Sequence, residues 1–210
     1  MDPIETLMTE HRLIERTLDA LEALAAAAAR GEAASRDDVA RFGRFFAEFA
    51  DAHHHGKEED LLFAAMVEAG FPRDTGPIAV MLHEHGVGRA AVAVLRRVGG
   101  GEGELSAAER SEVAEAAVAY AAMLRAHIRK EDRILYPMAE GHLSPEAMAK
   151  LAAAFDRFEA ERGGGLDGLL ALAKELAVRH APATESASFK LNTKVGHGQG
   201  GCGSCGCGGH

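Results

Sequence analysis

Apolar residues recur every three or four positions through much of the first 140 residues, which is the period of an amphipathic α-helix. The first such stretch opens with Asp2 as a helix cap, Pro3 at the first helical position and Glu5 in a capping-box arrangement. Its stripe consists of Ile4, Leu7, His11, Ile14, Leu18 and Leu21. We therefore predict a first helix that ends near Gly31.

Three more helices are predicted by the same period, with glycine and proline marking their ends. The second should occupy residues 36–70, the third residues 76–99, and the fourth should start at a Ser106–Glu109 cap and end at Pro137. Each apolar stripe must be buried against another, and the connections are short. The chain is therefore predicted to be all-α, with an up-down-up-down four-helix bundle over residues 1–140.

The remaining residues predict accessory structure and a tail. Two short helices are expected within residues 141–181, one from Ser144 to about Arg162 and a weaker one from Leu166 to Val178, separated by three glycines. Residues 182–210 are rich in glycine, serine and threonine, and we expect this tail to be disordered because it buries too little apolar surface.

The cysteines Cys202, Cys205 and Cys207 all lie in this tail, flanked by His197 and His210, so no disulfide is expected to join the tail to the body. Two interpretations of the cysteines stay open. The thiolates bind a soft metal or exchange electrons, or the tail is a low-complexity segment with no dedicated ligand.

Charge and composition argue against two classes of binding partner. The net charge of -9 argues against a nucleic-acid or anionic-membrane surface, both of which need clustered Lys and Arg. The N-terminus lacks a basic segment followed by an apolar run, and no stretch approaches the roughly 18 apolar residues that cross a membrane. We expect a cytoplasmic protein that binds neither nucleic acid nor membrane.

Histidines interrupt three of the apolar stripes. His11 lies in the first stripe and His85 in the third, while the fourth carries His127 and Glu131 one turn apart. Imidazoles and carboxylates do not belong in a dry core without a partner. Any one of these histidines alone would suggest an ordinary core residue, but the combination predicts a metal site inside the bundle.

An internal repeat selects the residues of the second helix. Aligning the segment that begins at His54 with the one that begins at His127 pairs His54 with His127 and Glu58 with Glu131, each as His-x-x-x-Glu. Residues four apart are neighbours on a helix. We expect His53 and His55 to face solvent, and Glu59 and Asp132 to lie outside the ligand set or in solvent, with Asp132 as a reserve ligand.

The number of ligands favours two metal ions. Four imidazoles and two carboxylates exceed what one tetrahedral zinc needs, whereas two non-haem irons that share bridging carboxylates would use all six groups. Each iron would then have about two histidines and two carboxylate oxygens, fewer than an octahedral site takes. Open positions are left for an oxo or hydroxo bridge and for dioxygen, nitric oxide or peroxide.

Four ordered segments of the chain resemble the hemerythrin-like, or HHE cation-binding, family. They begin at Glu10-His11, His54, Glu84-His85 and His127, and together they span roughly the first 140 residues. The resemblance implies a four-helix bundle with a di-iron centre, and it assigns iron ligation to His11, His54, Glu58, His85, His127 and Glu131. Met81 stands where the oxygen-carrying members have another histidine, which argues against reversible oxygen transport.

Several functions follow from this pattern. We expect a di-iron protein that binds dioxygen or nitric oxide for sensing, scavenging or an iron-stress response, with its redox partner unidentified. The alternatives are an enzyme that reduces peroxide or nitric oxide, with Tyr120 as a proton or electron donor if it is not simply core packing, and a protein that repairs iron centres. The repair members resemble this chain in their ligands but carry an N-terminal cysteine-bearing domain. A helical bundle with zinc or without metal is the remaining alternative.

Overall fold

The structure, a computed structural model, describes residues 2–32 and 34–181, apart from the side chains of residues 162–164. Within these residues the chain is all-helical and contains no strand, as predicted. The tail of residues 182–210, with its predicted disorder and its three cysteines, lies outside the described residues.

Five helical rods, α1 to α5, make up the described chain. Helix α1 spans Pro3–Ala29, α3 spans Gly76–Gly99 and α5 spans Pro145–Arg179. Helix α2 is built of four consecutive segments, Arg36–Phe45, Phe46–His55, Glu58–Leu62 and Phe63–Glu68. Helix α4 is built of three, Ala107–Lys130, Glu131–Leu135 and Tyr136–His142. The Asp2 carboxylate accepts the backbone N–H groups of Ile4 and Glu5 at the start of α1. The capping box predicted at Ser106 and Glu109 is complete at the start of α4.

Helices α2 and α4 share a π-helical turn at equivalent points of the internal repeat. The turn covers Glu58–Leu62 in α2 and Glu131–Leu135 in α4, and in each the carbonyl of the glutamate accepts the N–H group five residues later. Single π turns within α-helices occur frequently at functional sites. The repeat in the sequence is therefore also a repeat of this π turn, although α2 has a further π-helical segment, Phe46–His55, where α4 is α-helical.

The fourth helix does not end at Pro137, as the sequence predicted, but continues to His142. Proline normally ends a helix because it lacks the N–H that the preceding turn requires. Here it follows the π turn, at the start of the segment Tyr136–His142, where the shifted hydrogen-bond pattern accommodates it.

The prediction of two short accessory helices was wrong. Residues Pro145–Arg179 form one continuous helix through the three glycines. A glycine inside a helix costs about 1 kcal/mol relative to alanine, but apolar residues on both sides of the glycines are buried against the rest of the molecule. These are Leu151 and Phe155 before them, and Leu169, Leu172, Ala173 and Leu176 after them.

Two apolar clusters fill the core, with a polar layer between them. One cluster includes Ile4, Leu7, Leu62, Phe63, Ile78, Met81 and Leu135, and the other includes Ile14, Phe46, Phe49, Val92, Leu124 and Ile128. Along each of α1 to α4 the apolar residues before the predicted ligands belong to one cluster and those after them belong to the other. The fold therefore places the predicted site in the interior, between two apolar clusters.

Helix α3 corrects one expectation from composition. By length and apolar content, Gly76–Gly99 is the one helix in residues 2–32 and 34–181 that would be able to cross a membrane. The expectation that no such stretch exists was too strict. Part of the apolar content of α3 is core packing, because Ile78, Met81, Val92 and Leu95 are all buried against other helices.

Candidate metal centre

The six residues predicted as metal ligands lie together in the polar layer between the two apolar clusters. Helix α1 supplies His11, α2 supplies His54 and Glu58, α3 supplies His85, and α4 supplies His127 and Glu131. All six side chains are at most 1% exposed. His54, the residue of the histidine triplet that the repeat selected, thus lies in this layer.

One half of the centre gathers His85 and His127. Their Nε2 atoms lie 3.1 Å apart, and the His127 Nε2 lies 3.0 Å from Glu131 Oε1. Glu58 Oε2 lies 3.5 Å from the His85 Nε2. Neighbouring ligands of one metal ion with bonds of about 2.1 Å lie roughly 3.0–3.5 Å apart, so these separations fit a shared ion.

The other half gathers His11 and His54. The His11 Nε2 lies 3.3 Å from Glu131 Oε2, and the His54 Nε2 lies 3.7 Å from Glu58 Oε2. Each glutamate therefore approaches histidines of both halves. This is the placement expected of carboxylates that bridge two metal ions.

A ring of four carboxylates orients the histidines. Each carboxylate lies on the helix that precedes the helix of its histidine, with α4 preceding α1 around the ring. The imidazole Nδ1 atoms lie 2.6–2.9 Å from carboxylate oxygens in four pairs: Glu10 with His54, Glu59 with His85, Glu84 with His127, and Asp132 with His11. The last pair closes the ring from α4 to α1. Hydrogen bonding at Nδ1 leaves Nε2 free to bind a metal, which is the usual environment of a metal-bound histidine.

Each carboxylate of this ring also contacts a cation from the same helix as its histidine. The pairs are Arg12 with Asp132, Lys57 with Glu10, Arg89 with Glu59, and Lys130 with Glu84. The side chains of Arg12, Arg89 and Lys130 are 51%, 44% and 36% exposed, whereas that of Lys57 is fully buried. Burial raises the pKa values of the ring carboxylates, but the hydrogen bonds and charges of the histidines and of these cations outweigh burial and hold the pKa values below their ordinary range.

The centre contains buried polar atoms that a bound cation would satisfy. His54 Nε2, Glu58 Oε2 and both carboxylate oxygens of Glu131 are buried and have no hydrogen-bond partner. Such atoms carry a desolvation cost of about 1–3 kcal/mol each, and more when charged. Two histidine and glutamate groups with metal-ligand spacing account for them, and Glu58 is common to both groups.

The pKa values of the buried glutamates and histidines also indicate that the centre lacks positive charge. Burial and the charge of Glu131 raise the pKa of Glu58 well above its ordinary value, while the neighbouring histidines lower that of Glu131 against its burial. Burial lowers the pKa of His11, but the neighbouring Asp132 and Glu131 carboxylates outweigh burial and raise this pKa to about 9. Imidazole and carboxylate donors together fit a first-row transition metal, iron among them.

The expectation that His53 and His55 face solvent was wrong, since their side chains are only 6% and 5% exposed. Helix α5 covers His53, which lies between Phe49 and Phe158. The ring of His55 stacks on that of His85, with 3.8 Å between centroids, and its Nδ1 lies 3.3 Å from Asp51. His55 thus joins Glu58, His85 and His127 as a further potential ligand.

Tyr136 is a site residue that the sequence analysis missed. Its hydroxyl donates to Glu58 Oε1 at 2.7 Å and lies 3.3 Å from the His11 Nε2. Tyr120, the tyrosine proposed from sequence as a donor, instead packs edge-on against Phe46. The signal for Tyr136 was its position in the repeat, where it replaces Phe63. Glu10 and Glu84 had a weaker signal, since each directly precedes a predicted ligand.

A cleft of about 260 Å³ approaches the centre between α2 and α3. The buried residues His55, Gly88 and Tyr120 line it, together with the exposed Arg89 and Arg96. Because His55 stacks on His85, this cleft reaches within one side chain of the predicted ligands.

Comparisons with known proteins agree with this geometry. Residues 2–139 match the family model described as the hemerythrin HHE cation binding domain, and all six predicted ligands lie inside the match. A comparison with curated proteins and a comparison with solved structures each gave no match. By a family match over well more than half of its length, and by histidine and glutamate clusters able to hold a metal, this chain belongs to the hemerythrin HHE cation-binding domain family.

Proposed function

We propose that this chain is a non-haem di-iron protein in which His11, His54, Glu58, His85, His127 and Glu131 hold the two irons. The observation that carries the proposal is the convergence of four Nε2 atoms on the Glu58 and Glu131 carboxylates, three of whose four oxygens have no hydrogen-bond partner. Each imidazole is turned inward by a carboxylate from a neighbouring helix. The same closed ring supports an up-down-up-down arrangement of α1 to α4.

The protein is proposed to bind a small diatomic ligand, dioxygen or nitric oxide, for sensing, scavenging or an iron-stress response. A reduced iron pair with open coordination positions supplies the chemistry of binding such ligands. The protein excludes bulk water through the two apolar clusters and admits the ligand through the cleft that ends at His55. The buried Met81 occupies the position of the fifth histidine in the oxygen carriers, which supports a role other than reversible oxygen transport.

Catalytic reduction of peroxide or nitric oxide is the second candidate, and Tyr136 is the observation that favours it. Its hydroxyl proton is held 2.7 Å from Glu58, next to the predicted ligand His11. Burial and the charges of Glu58 and Glu131 keep the pKa of Tyr136 well above its ordinary value, so the proton stays on the phenol. A phenol in this position is suited to donate a proton to a ligand beside Glu58.

Stopped-flow spectroscopy of the anaerobically iron-loaded, reduced chain separates the two candidates. Mixing with nitric oxide should give a stable adduct in stoichiometric amount if the protein is a binder. Repeated turnover with release of product, in nitric oxide or in hydrogen peroxide, would favour the enzyme. A chain that holds iron but gives neither an adduct nor turnover would contradict both.

A further inference from the structure

The buried cation of the carboxylate ring contacts a helix outside the family match. Lys57 Nζ contacts Glu10, and it also lies 2.5 Å from Glu159 Oε1 and 3.1 Å from the His53 Nε2. Glu159 belongs to α5, which begins after residue 139, where the family match ends. On the same helix, Phe155 places its ring 5.7 Å from Lys57 Nζ.

This cluster has the spacing of a metal site but already contains its cation. Glu10, His53 and Glu159 offer ligand atoms close enough together to hold an ion. The Lys57 nitrogen lies within hydrogen-bond distance of all three. A fully buried lysine is stable only when it is paired in this way. The cluster is therefore an ion-pair network, not a third metal site.

The network reaches the metal centre through Glu10. One carboxylate oxygen of Glu10 contacts Lys57 and His53, and the other lies 2.9 Å from the His54 Nδ1. A carboxylate at Nδ1 fixes the ring orientation and tautomer of a metal-bound histidine and raises its basicity. Whatever holds Glu10 in place therefore also orients His54.

We infer that Glu159 is a positioning residue for the metal centre, which holds Lys57 against Glu10 and so keeps the His54 Nε2 directed at the metal. This inference rests on the proposed di-iron function. Removing the Glu159 charge would loosen one corner of the ring and leave the ligands themselves intact. The neighbouring Glu161 is exposed and offers a matched control on the same helix.

The test compares the full-length variants Glu159→Gln and Glu161→Gln after anaerobic loading with ferrous iron. Release of iron to the chelator ferrozine is followed with time. Glu159→Gln should release one iron of the pair roughly tenfold faster than the unchanged chain, as expected for loss of a partner of a metal-bound histidine. Glu161→Gln should match the unchanged chain. Glu159→Asp keeps the charge but shortens the side chain, and its release rate should be intermediate.

A second measurement does not depend on iron. Long-range ¹H–¹⁵N spectra of the metal-free chain report the tautomer of each histidine, and Glu159→Gln should shift the ring nitrogens of His54 but not those of His127. If Glu159→Gln changes neither the release rate nor the His54 resonances, the inference is overturned while the di-iron proposal stands.

Other outcomes also decide between the two claims. An unchanged chain that never holds two irons contradicts the proposed function, and the His54 spectra then decide the positioning role alone. If Glu159→Gln does not fold, Glu159→Asp carries both measurements, with the same results expected in smaller size.

Discussion

The two His-x-x-x-Glu segments of this protein share their predicted ligands and one π turn but differ in the backbone before that turn and in what surrounds them. His54 lies in the π-helical segment Phe46–His55, whereas His127 lies in the α-helical segment Ala107–Lys130. Each presents a histidine, a lysine three residues later, a glutamate four residues later and a π turn that begins at that glutamate. In each, a carboxylate from the preceding helix binds the histidine Nδ1 and contacts the lysine. The repeat thus extends beyond the predicted ligands.

The surroundings of the two segments differ in the exposure of the lysine and in one aromatic residue. Lys57 is fully buried beneath α5, whereas the side chain of its equivalent, Lys130, is 36% exposed. Phe63 packs near His85, whereas its equivalent, Tyr136, donates a hydrogen bond to Glu58. The predicted ligands are therefore nearly symmetric between the two segments, but the residues that surround and orient them are not. The second segment provides a matched control for each test of the first.

The largest expected effect is loss of the iron pair. Glu58→Ala and Glu131→Ala should each lower iron content from about two per chain to below about one, because each carboxylate approaches histidines of both halves. Metal analysis after anaerobic loading measures this, with the exposed Glu68→Ala as control. If either variant still held two irons, that glutamate would not be a bridge.

The next largest effect should separate the two lysines. Lys57→Met leaves Glu10 and Glu159 without their buried cation and should lower the free energy of unfolding of the metal-free chain by about 3–5 kcal/mol. Lys130→Met removes a partly exposed partner and should cost less than about 1 kcal/mol. Urea denaturation measures both. Equal losses would show that burial beneath α5 does not distinguish the two segments.

The aromatic difference predicts a smaller change. Tyr136→Phe removes the hydrogen bond to Glu58 Oε1 and should destabilise the metal-free chain by about 1–3 kcal/mol, because that oxygen loses its buried donor. Two irons should still bind. Tyr120→Phe, in the other tyrosine of the chain, serves as the comparison. A Tyr136→Phe variant as stable as the parent would mean that the hydroxyl contributes nothing net.

The smallest effect concerns access to the His85 side of the centre. Ala93→Leu places a larger side chain in the cleft that leads to His55, and it should slow nitric oxide association severalfold without changing iron content. Ala90→Leu, at an exposed position on the same helix, should leave the rate unchanged. Stopped-flow measurement of nitric oxide association at equal iron content tests this prediction. Equal rates in the two variants would mean that nitric oxide reaches the centre by another path.

Much of the fold was predictable because apolar period and capping are local properties. The cap at Ser106 and the starts of α2 and α3 were correct to within a residue or so. The same local logic failed at Pro137, where a π turn rearranges the hydrogen bonds, and at the three glycines of α5, where tertiary packing outweighs helix propensity. Neither the rearranged hydrogen bonds nor the tertiary packing can be predicted from the local sequence.

The candidate site shows the same division. His11 and His85 were found from their stripes and His54 from the repeat, since period and repeat both lie in the sequence. The burial of His53 and His55 could not be predicted, because it depends on helices packed against α2 from other parts of the chain. The cross-helix pairing of Glu10 with His54, rather than with its neighbour His11, likewise requires the folded arrangement.

The central claim is that this chain holds a pair of metal ions between its four inward-facing imidazoles and two shared carboxylates. Anaerobic reconstitution of the full chain with ferrous iron, followed by removal of unbound metal and elemental analysis, tests it most directly. About two irons per chain are expected. A value below about one, in a chain that remains folded, would contradict it.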